Sequence, residues 1–266
     1  MRYFNTNYSS VLFFALCIGI NCNVSTASTI VMDNSNTDNS FGKHNHLTSH
    51  QEGLVIPLKP IYHTKALDFR EQSLEQADVL LLQQGQYEDI GLASTNIKTV
   101  GLTPLISSQE TLLTLDIENN GLESNVVPTL CLFKSLQTLN AAQNYFKDAD
   151  MDIIGKSLVN LQDLNIVHNF ITSKGIACLQ GLTRLESLDC GFINLGNEGI
   201  YNISQIKSLK RVYVRATRFD AEALQYFLTM PNLELIDISQ NKINPEALAK
   251  FTTSTKAEVI FDHMLN

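Results

Sequence analysis

Positive charge is scarce in this chain. Its 19 lysines and arginines are outnumbered by 27 aspartates and glutamates, which leaves a formal net charge of −8 at pH 7. A protein that binds bare phosphate backbone, or a membrane surface rich in anionic lipid, normally carries an excess of basic side chains. The charge balance therefore argues against nucleic acid and against anionic membranes as partners.

Long apolar runs are also lacking near the start of the chain. The apolar stretch at residues 11–20 has ten residues, whereas a membrane-spanning helix needs about 20. Arg2 precedes this stretch, and the small residues Ser25 and Ala27 follow it in the pattern of a cleavage site. We expect residues 1–27 to be a signal peptide that is cleaved near Ala27, so that the mature protein is secreted or periplasmic. A buried apolar helix is the alternative, and an uncleaved chain would instead be delivered into a host cell.

Catalytic and metal-binding motifs are missing as well. The sequence contains no G-x-S-x-G, no H-E-x-x-H, no P-loop and no Rossmann glycine motif. It also has no C-x-x-C spacing that would suggest zinc. We therefore expect no enzymatic activity, no cofactor and no metal.

Cysteine is limited to five residues, two of which would leave with the signal peptide. The mature chain keeps Cys131, Cys178 and Cys190, and three thiols cannot all pair within one chain. Each lies on or beside an apolar position of the repeats described below. We expect buried free thiols.

Two segments separate the signal peptide from the periodic part of the chain. Residues 28–60 are rich in Asn, Ser, Thr and His and show no sustained period, which is typical of a disordered linker. Within it, His44, His46 and His50 could bind a metal, but nothing rigid would hold them in place. Residues 61–86 show apolar residues at near-helical spacing, which predicts an amphipathic cap helix over the first repeat.

Residues 87–266 are periodic, with repeats of 24 or 25 residues. Six segments that read L-x-x-L-x-L-x-x-N-x-L align without gaps, and a weaker seventh copy starts at Tyr87. The six segments start at Leu112, Leu136, Leu161, Leu185, Leu209 and Leu233.

The first half of each repeat predicts a short strand, because apolar residues such as Leu115 and Ile117 alternate with polar ones. An asparagine follows most of the strands. Its buried amide can form hydrogen bonds with the backbone where the chain turns, and these asparagines form a ladder through successive repeats. The ladder residues are Asn120, Asn144, Asn169 and Asn241. Thr217 can replace the amide in part and Ile193 cannot, so we expect a local distortion at Ile193.

The second half of each repeat predicts a helix, because its apolar residues are three apart. Small residues precede this helix face in most repeats and would let the helix lie close to the strands. They are Gly101, Gly175, Gly199, Ala223 and Ala247. One strand, one turn and one helix in each repeat predict an α/β solenoid with a parallel concave sheet, convex helices and a closing strand at 258–262.

These residues resemble leucine-rich repeats of the ribonuclease-inhibitor-like class, and most closely the GALA-type repeats of bacterial effector proteins. The resemblance rests on motifs such as Asn169-Phe-Ile171 followed by Gly175-Ile-Ala-Cys-Leu179, and it covers residues 87–262. It implies a right-handed β-α superhelix with convex helices. This sequence shows no Leu-Pro-led F-box pattern and no non-repeat segment large enough for a ubiquitin-ligase domain, so we do not expect ligase activity from the resemblance. The fold hosts many functions.

The strand alternation predicts which side chains face outward on the concave sheet. Large aromatic and basic residues, which are favoured interface anchors, gather in the fourth to sixth aligned segments and are surrounded by acidic ones. This concave-face patch consists of His168, Phe192, Arg211, Tyr213 and Arg215. The hypothesis is a monomeric, exported module, such as a bacterial effector, that binds a host or co-secreted protein on this face. A structural envelope protein and an inhibitor that occludes an enzyme's active site are the alternatives.

Overall fold

The structure is a computed structural model that describes residues 65–262. The predicted signal peptide, the linker with His44, His46 and His50, and residues 61–64 and 263–266 lie outside the described residues. Within residues 65–262, no helix combines the length and the apolar character needed to cross a membrane.

Nine strands form one parallel sheet between residues 65 and 262, and their order in the sheet follows their order in the chain. Each strand has three residues, and the middle residues of neighbouring strands are paired in register. The strands are β1 (Ala66–Asp68), β2 (Asp89–Gly91), β3 (Thr114–Asp116), β4 (Thr138–Asn140), β5 (Asp163–Asn165), β6 (Ser187–Asp189), β7 (Arg211–Tyr213), β8 (Leu235–Asp237) and β9 (Glu258–Ile260).

Helices lie between successive strands of the described chain, as the repeat pattern predicts. The α-helices are α1 (Gln76–Gln84), α2 (Ile97–Val100), α3 (Val127–Leu130), α4 (Asp148–Ser157), α5 (Ser173–Ala177), α6 (Gly196–Ser204), α7 (Leu224–Phe227) and α8 (Pro245–Ser254). Several are extended or replaced by 3₁₀ helices at Thr103–Ser108, Ser124–Val126, Cys178–Gly181 and Ala221–Ala223. The predicted α/β solenoid is confirmed.

The core runs the length of the solenoid as columns of apolar side chains. Leu115, Leu139, Leu164 and Leu188 stack one above the next because the strands pair in register, and all four are buried. A fully buried leucine contributes about 1.5–3 kcal/mol relative to an exposed one. No repeat can bury this face alone, so neighbouring repeats stabilise each other.

The asparagine ladder is confirmed. The amide nitrogen of Asn144 donates to the carbonyls of Ile117 at 3.0 Å and Ala142 at 2.9 Å. Its amide oxygen accepts from the backbone N–H groups of Asn120 at 3.3 Å and Leu122 at 2.9 Å. The other buried ladder asparagines, which bond the backbone in the same way, are Asn120, Asn169 and Asn241.

The ladder changes at the two positions that lack asparagine. The Thr217 hydroxyl donates to the carbonyl of Val214 at 2.9 Å, which replaces part of the amide's role. Ile193 has no polar side chain, and the turn that follows it differs from its equivalents. There the N–H groups of Leu195 and Gly196 both donate to the Thr217 carbonyl at 3.1 Å, and α6 begins one position earlier in the repeat than α4, α5 and α8. The expected local distortion is present.

The N-terminal part of the described chain differs from the prediction. Instead of one helix over 61–86, strand β1 precedes a shorter helix, α1, so that Phe69 lies outside the helix. β1 pairs with β2 and extends the sheet by one strand, and α1 packs on the 3₁₀ helix of the next repeat. Backbone pairing outweighs the helical pattern here: β1 supplies partners for the N–H and C=O groups along the edge of β2, and β1 becomes the outermost strand.

Small residues precede the helix faces of the repeats for two different physical reasons. A Cβ atom on Gly175 would lie 2.6 Å from Asp148 Oδ1 and 2.7 Å from Ile171 Cγ2, so close packing requires glycine there. Gly101 has open space around it but a φ of +75°, a left-handed conformation that favours glycine. The close-packing explanation is therefore wrong for Gly101.

The three cysteines in the described residues are free. Cys131 and Cys190 are buried, as predicted, and burial raises the pKa of the Cys190 thiol well above its usual value. Cys178 is only partly buried, because it lies at the junction of α5 with the next 3₁₀ helix, and its thiol donates to the Lys174 carbonyl at 3.4 Å. The prediction of a buried thiol is wrong for Cys178.

Candidate functional site

The sheet places the concave-face patch across three neighbouring repeats. Arg211 and Tyr213 are the first and last residues of β7, and Arg215 follows the strand by two positions. His168 and Phe192 lie in the turns after β5 and β6. The repeat register therefore puts these residues on or just after three neighbouring strands, β5 to β7, of the nine-stranded sheet.

Three members of the patch form a stack. The rings of His168 and Phe192 lie with centroids 4.6 Å apart and planes at 21°. The guanidinium carbon of Arg215 lies 5.8 Å from the Phe192 ring centroid, within the range of a cation–π contact. Phe192 remains 41% exposed. The stack thus presents an aromatic surface to the solvent, with a guanidinium group in contact with the Phe192 ring.

The backbone at this stack is strained. Phe192 has a φ of +58° and His168 a φ of +52°, both in the left-handed region that bulky side chains rarely adopt. The turn itself demands this conformation, since the equivalent residues of the other repeats share it. They are Ser94, Asn119, Gln143, Ala216 and Gln240. A large aromatic side chain at such a position is more costly than the small and polar residues found elsewhere in the column.

One hydrogen-bond donor of Arg215 lacks a partner among the described residues. Its Nε atom is buried and has no hydrogen-bond partner among the described residues. A buried N–H without a partner costs about 1–3 kcal/mol.

Arg211 and Tyr213 form a second group. The Arg211 guanidinium pairs with Asp163, two strands away, at 3.2 Å. Tyr213 is partly buried between Asp189 and Asp237, its register partners on β6 and β8. Burial raises the pKa of the Tyr213 hydroxyl, and the two carboxylates act in the same direction. Arg211 therefore contacts an acidic residue rather than the Phe192 stack.

Partly buried carboxyl groups lie on the concave face, and one of them, Asp189, lies beside Tyr213. The pKa of Asp189 is raised to about 7, mainly by burial; the Gly191 N–H lowers it, and the nearby Asp237 and Glu118 carboxylates contribute to the rise. That N–H donates to Asp189 Oδ1 at 3.1 Å. Burial also raises the pKa of Asp116, although Arg70 pairs with it at 2.9 Å. The floor of the concave face can thus change charge near neutral pH at Asp189.

Two grooves flank the His168–Phe192 pair. The larger, about 650 Å³, extends towards Arg218 and Lys242, and the smaller, about 460 Å³, extends towards Phe170. His168, Phe192, Ile193 and Asn194 line both grooves. The buried Ile193, which breaks the asparagine ladder, gives the grooves an apolar lining where most repeats carry an amide.

The sequence analysis missed part of this surface. Tyr145, Phe170, Arg218 and Lys242 occupy the same column, nine residues after the start of each aligned segment, and all four are exposed. Since this column falls outside the strand alternation, the concave-face pattern did not include it. Across residues 65–262, His, Cys, Asp and Glu side chains do not gather in groups of three that could hold a metal ion.

Comparisons with known proteins identify the fold. No family model matches the chain, and no curated protein matches it. Solved structures do match, and among 167 such chains is the crystal structure of an internalin (inlF) from Listeria monocytogenes. The TM-score is 0.53 and the identity 16%, over 76% of this chain and 67% of the internalin chain. This likeness supports a leucine-rich repeat solenoid. The ribonuclease-inhibitor-like or GALA-type subclass stays a prediction.

Proposed function

We propose that this chain is a non-enzymatic, protein-binding module that holds a partner on the concave face of its solenoid. The observation that carries the proposal is the stack of His168, Phe192 and Arg215, in which an exposed aromatic ring lies on a strained backbone beside a guanidinium group with a buried, unpaired N–H. Strain and unpaired polar atoms reduce the stability of the free protein. Their presence together at one exposed place supports a role in binding.

The residue types support a protein partner rather than a small molecule. Aromatic and arginine side chains supply most of the binding energy at protein interfaces, because they bury a large area and form planar hydrogen bonds. The stack also lies beside two open grooves rather than in an enclosed cavity. A curved parallel sheet offers an extended surface of the kind that solenoid proteins use for binding.

The test is a capture experiment followed by affinity measurement. The protein would be immobilised and exposed to the culture medium, envelope fraction and co-cultured host cells, and captured proteins would be identified by mass spectrometry. The dissociation constant of a purified candidate would then be measured for the wild type, for Phe192→Ala and for Arg215→Ala. We expect each substitution to weaken binding by about 2 kcal/mol, or roughly thirtyfold.

A matched control is available on the convex side. Tyr201 lies on α6 and is 47% exposed, close to the value for Phe192. Tyr201→Ala removes a similar exposed aromatic area and is expected to leave affinity unchanged. Equal affinity of Phe192→Ala, Arg215→Ala and wild type, or a loss confined to Tyr201→Ala, would refute binding at the concave-face patch.

We also propose that the module acts outside the cytoplasm of the cell that makes it, as a secreted or periplasmic monomer. The support is the signal-peptide pattern of residues 1–27. The test is the intact mass of the protein recovered from the culture medium of its native host. A mass that matches a start at Ser28 is expected. A full-length chain found only in the cytosol or inside co-cultured cells would contradict cleavage.

A further inference from the structure

One column of the repeats forms a row along the edge of the sheet, at the carboxyl ends of the strands. This edge row consists of Tyr145, Phe170, Asn194, Arg218 and Lys242, which follow β4, β5, β6, β7 and β8 in turn. Its first two members are aromatic and its last two are basic. The row therefore has an apolar end and a cationic end.

The apolar end is a solvent-exposed aromatic surface. The rings of Tyr145 and Phe170 are stacked, with centroids 5.7 Å apart and planes at 11°. Phe170 is 63% exposed and Tyr145 is 44% exposed. Exposed apolar surface of this kind, next to a groove, marks interaction sites more often than isolated apolar residues do.

The cationic end is unpaired. Within residues 65–262, neither Arg218 nor Lys242 takes part in an ion pair. One oxygen of the neighbouring Asp220 carboxylate is engaged, because Oδ1 accepts from Asn197 and from the N–H of Glu222, both at 3.0 Å. Two free cations on a chain with a net charge of −8 are a local reversal of the overall charge. They complement a ligand that carries carboxylates.

The backbone of Arg218 has a costly conformation. Its φ is +65°, and the residue at the same column in an earlier repeat is Gly121, with a φ of +62°. The backbone at this position therefore suits glycine, and an arginine there is strained. Strain at an exposed, unpaired cation points to a role in recognition rather than in folding.

The grooves connect the two ends. The smaller groove is lined by Phe170 and the larger by Arg218 and Lys242, and His168 and Phe192 line both. Neighbouring strands are about 4.8 Å apart. Arg218 lies two strands from Phe170 and Lys242 three, so the two cations lie about 10–14 Å from Phe170 along the row. An extended peptide covers this distance in about three or four residues, at about 3.3 Å each.

We infer that the edge row binds an extended segment of the protein partner, in which a large apolar side chain is followed or preceded, three or four residues away, by acidic side chains. The apolar side chain packs on Tyr145 and Phe170, and the carboxylates pair with Arg218 and Lys242. This inference rests on the proposed function and specifies the chemistry of the partner.

The test is a selection of random 12-residue peptides, displayed on phage, against the immobilised full chain. We expect the enriched peptides to carry Asp or Glu three or four residues from Phe, Tyr, Trp or Leu. Synthetic versions would be measured by fluorescence polarisation against Arg218→Gly/Lys242→Gln and against Phe170→Ser. Each variant is expected to bind the peptides at least about tenfold more weakly than the wild type. The affinity of the wild type is expected to fall as salt is added.

The variants separate binding from folding. Arg218→Gly places glycine in a backbone conformation that Gly121 already adopts in this fold, so the charge is removed without a new strain. Tyr201→Ala on α6 is the control and is expected to bind the peptides as the wild type does.

Three results would overturn the inference. They are the absence of any enriched peptide, enriched peptides that lack an acidic residue three or four positions from a large apolar one, and peptides that bind the charge variant, Arg218→Gly/Lys242→Gln, as tightly as the wild type. Peptides that lose binding in Phe192→Ala but bind the charge variant normally would refute the edge-row chemistry while leaving the proposed function in place. An intact partner protein that binds Phe192→Ala and Arg215→Ala with wild-type affinity would refute the proposed function itself.

Discussion

Replacement of Asp189 by asparagine is expected to stabilise the protein, and by more at alkaline than at acidic pH. Asp189 ends β6, and burial raises its pKa from 3.8 to about 7. Between these two values the folded state binds a proton that the unfolded state has released. The stability contributed by the protonated carboxyl is therefore fully present below about pH 4 and is lost as the pH rises through about 7.

The magnitude follows from the shift. About three pKa units at 1.36 kcal/mol each correspond to ~4 kcal/mol of penalty for the ionised, buried carboxylate. Asparagine never ionises, and its amide oxygen can still accept the Gly191 N–H bond now made at 3.1 Å. We expect Asp189→Asn to raise the free energy of unfolding by ~4 kcal/mol at pH 8 and by only ~2 kcal/mol at pH 5.

The assay is urea unfolding of both proteins at the two pH values. Glu222→Gln serves as the control, because Glu222 is an exposed carboxylate on a 3₁₀ helix and its removal is expected to change stability by less than about 0.5 kcal/mol. A stabilisation by Asp189→Asn that is equal at both pH values would refute the assignment of the pH dependence to Asp189. A loss of stability at pH 8 would refute the burial argument altogether.

Three further substitutions test the stack, the ladder and the packing of the helices. Arg215→Met is expected to raise the free energy of unfolding by about 1 kcal/mol, because it removes a buried unpaired N–H. The same substitution is expected to weaken binding of the partner. Lower stability in thermal unfolding would contradict the first expectation. Asn144→Ala is expected to cost about 3 kcal/mol or more in urea unfolding, since it leaves several buried backbone groups without partners; a cost below about 1 kcal/mol would show that the ladder is dispensable. Gly175→Ala is expected to cost about 1–3 kcal/mol, because its Cβ would lie 2.6 Å from Asp148 Oδ1, whereas Gly181→Ala, whose nearest neighbour would be 3.7 Å away, is expected to be neutral or slightly stabilising. Equal effects of the two glycine changes would contradict the packing explanation.

The fold could be predicted from the sequence because one pattern repeats. Each aligned segment carries the same apolar and asparagine positions, so an error in one repeat is corrected by the others, and both the strand register and the ladder follow. The first repeat lacks this support. β1 contains one large apolar residue, Leu67, between Ala66 and Asp68, so its sequence does not reveal a strand; pairing with β2 determines it.

The candidate site could be predicted only in part. The alternation indicated that His168, Phe192 and Arg215 face outward, but their stacking depends on the left-handed turn after each strand, which has no residue signature in this chain. Arg211 lies in an outward column too, yet its long side chain reaches Asp163 two strands away. Such side-chain partners depend on rotamers, which a repeat pattern does not determine.

The edge row was missed for a different reason. Its residues vary from aromatic to basic and lie outside the strand alternation, so no shared property marks the column in the sequence. The column becomes visible only when the repeats are stacked. An alignment of every repeat column, including the variable ones, would have brought Tyr145 and Phe170 beside Arg218 and Lys242.

The most direct test of the account is hydrogen exchange of the backbone amides, measured by mass spectrometry, in the free protein and in complex with the captured partner. Binding at the concave-face patch predicts slower exchange in the turns after β5, β6 and β7, at residues 166–171, 190–195 and 214–219, with little change in α4, α6 and α8. Protection confined to those helices, with unchanged exchange in the three turns, would contradict binding at this face.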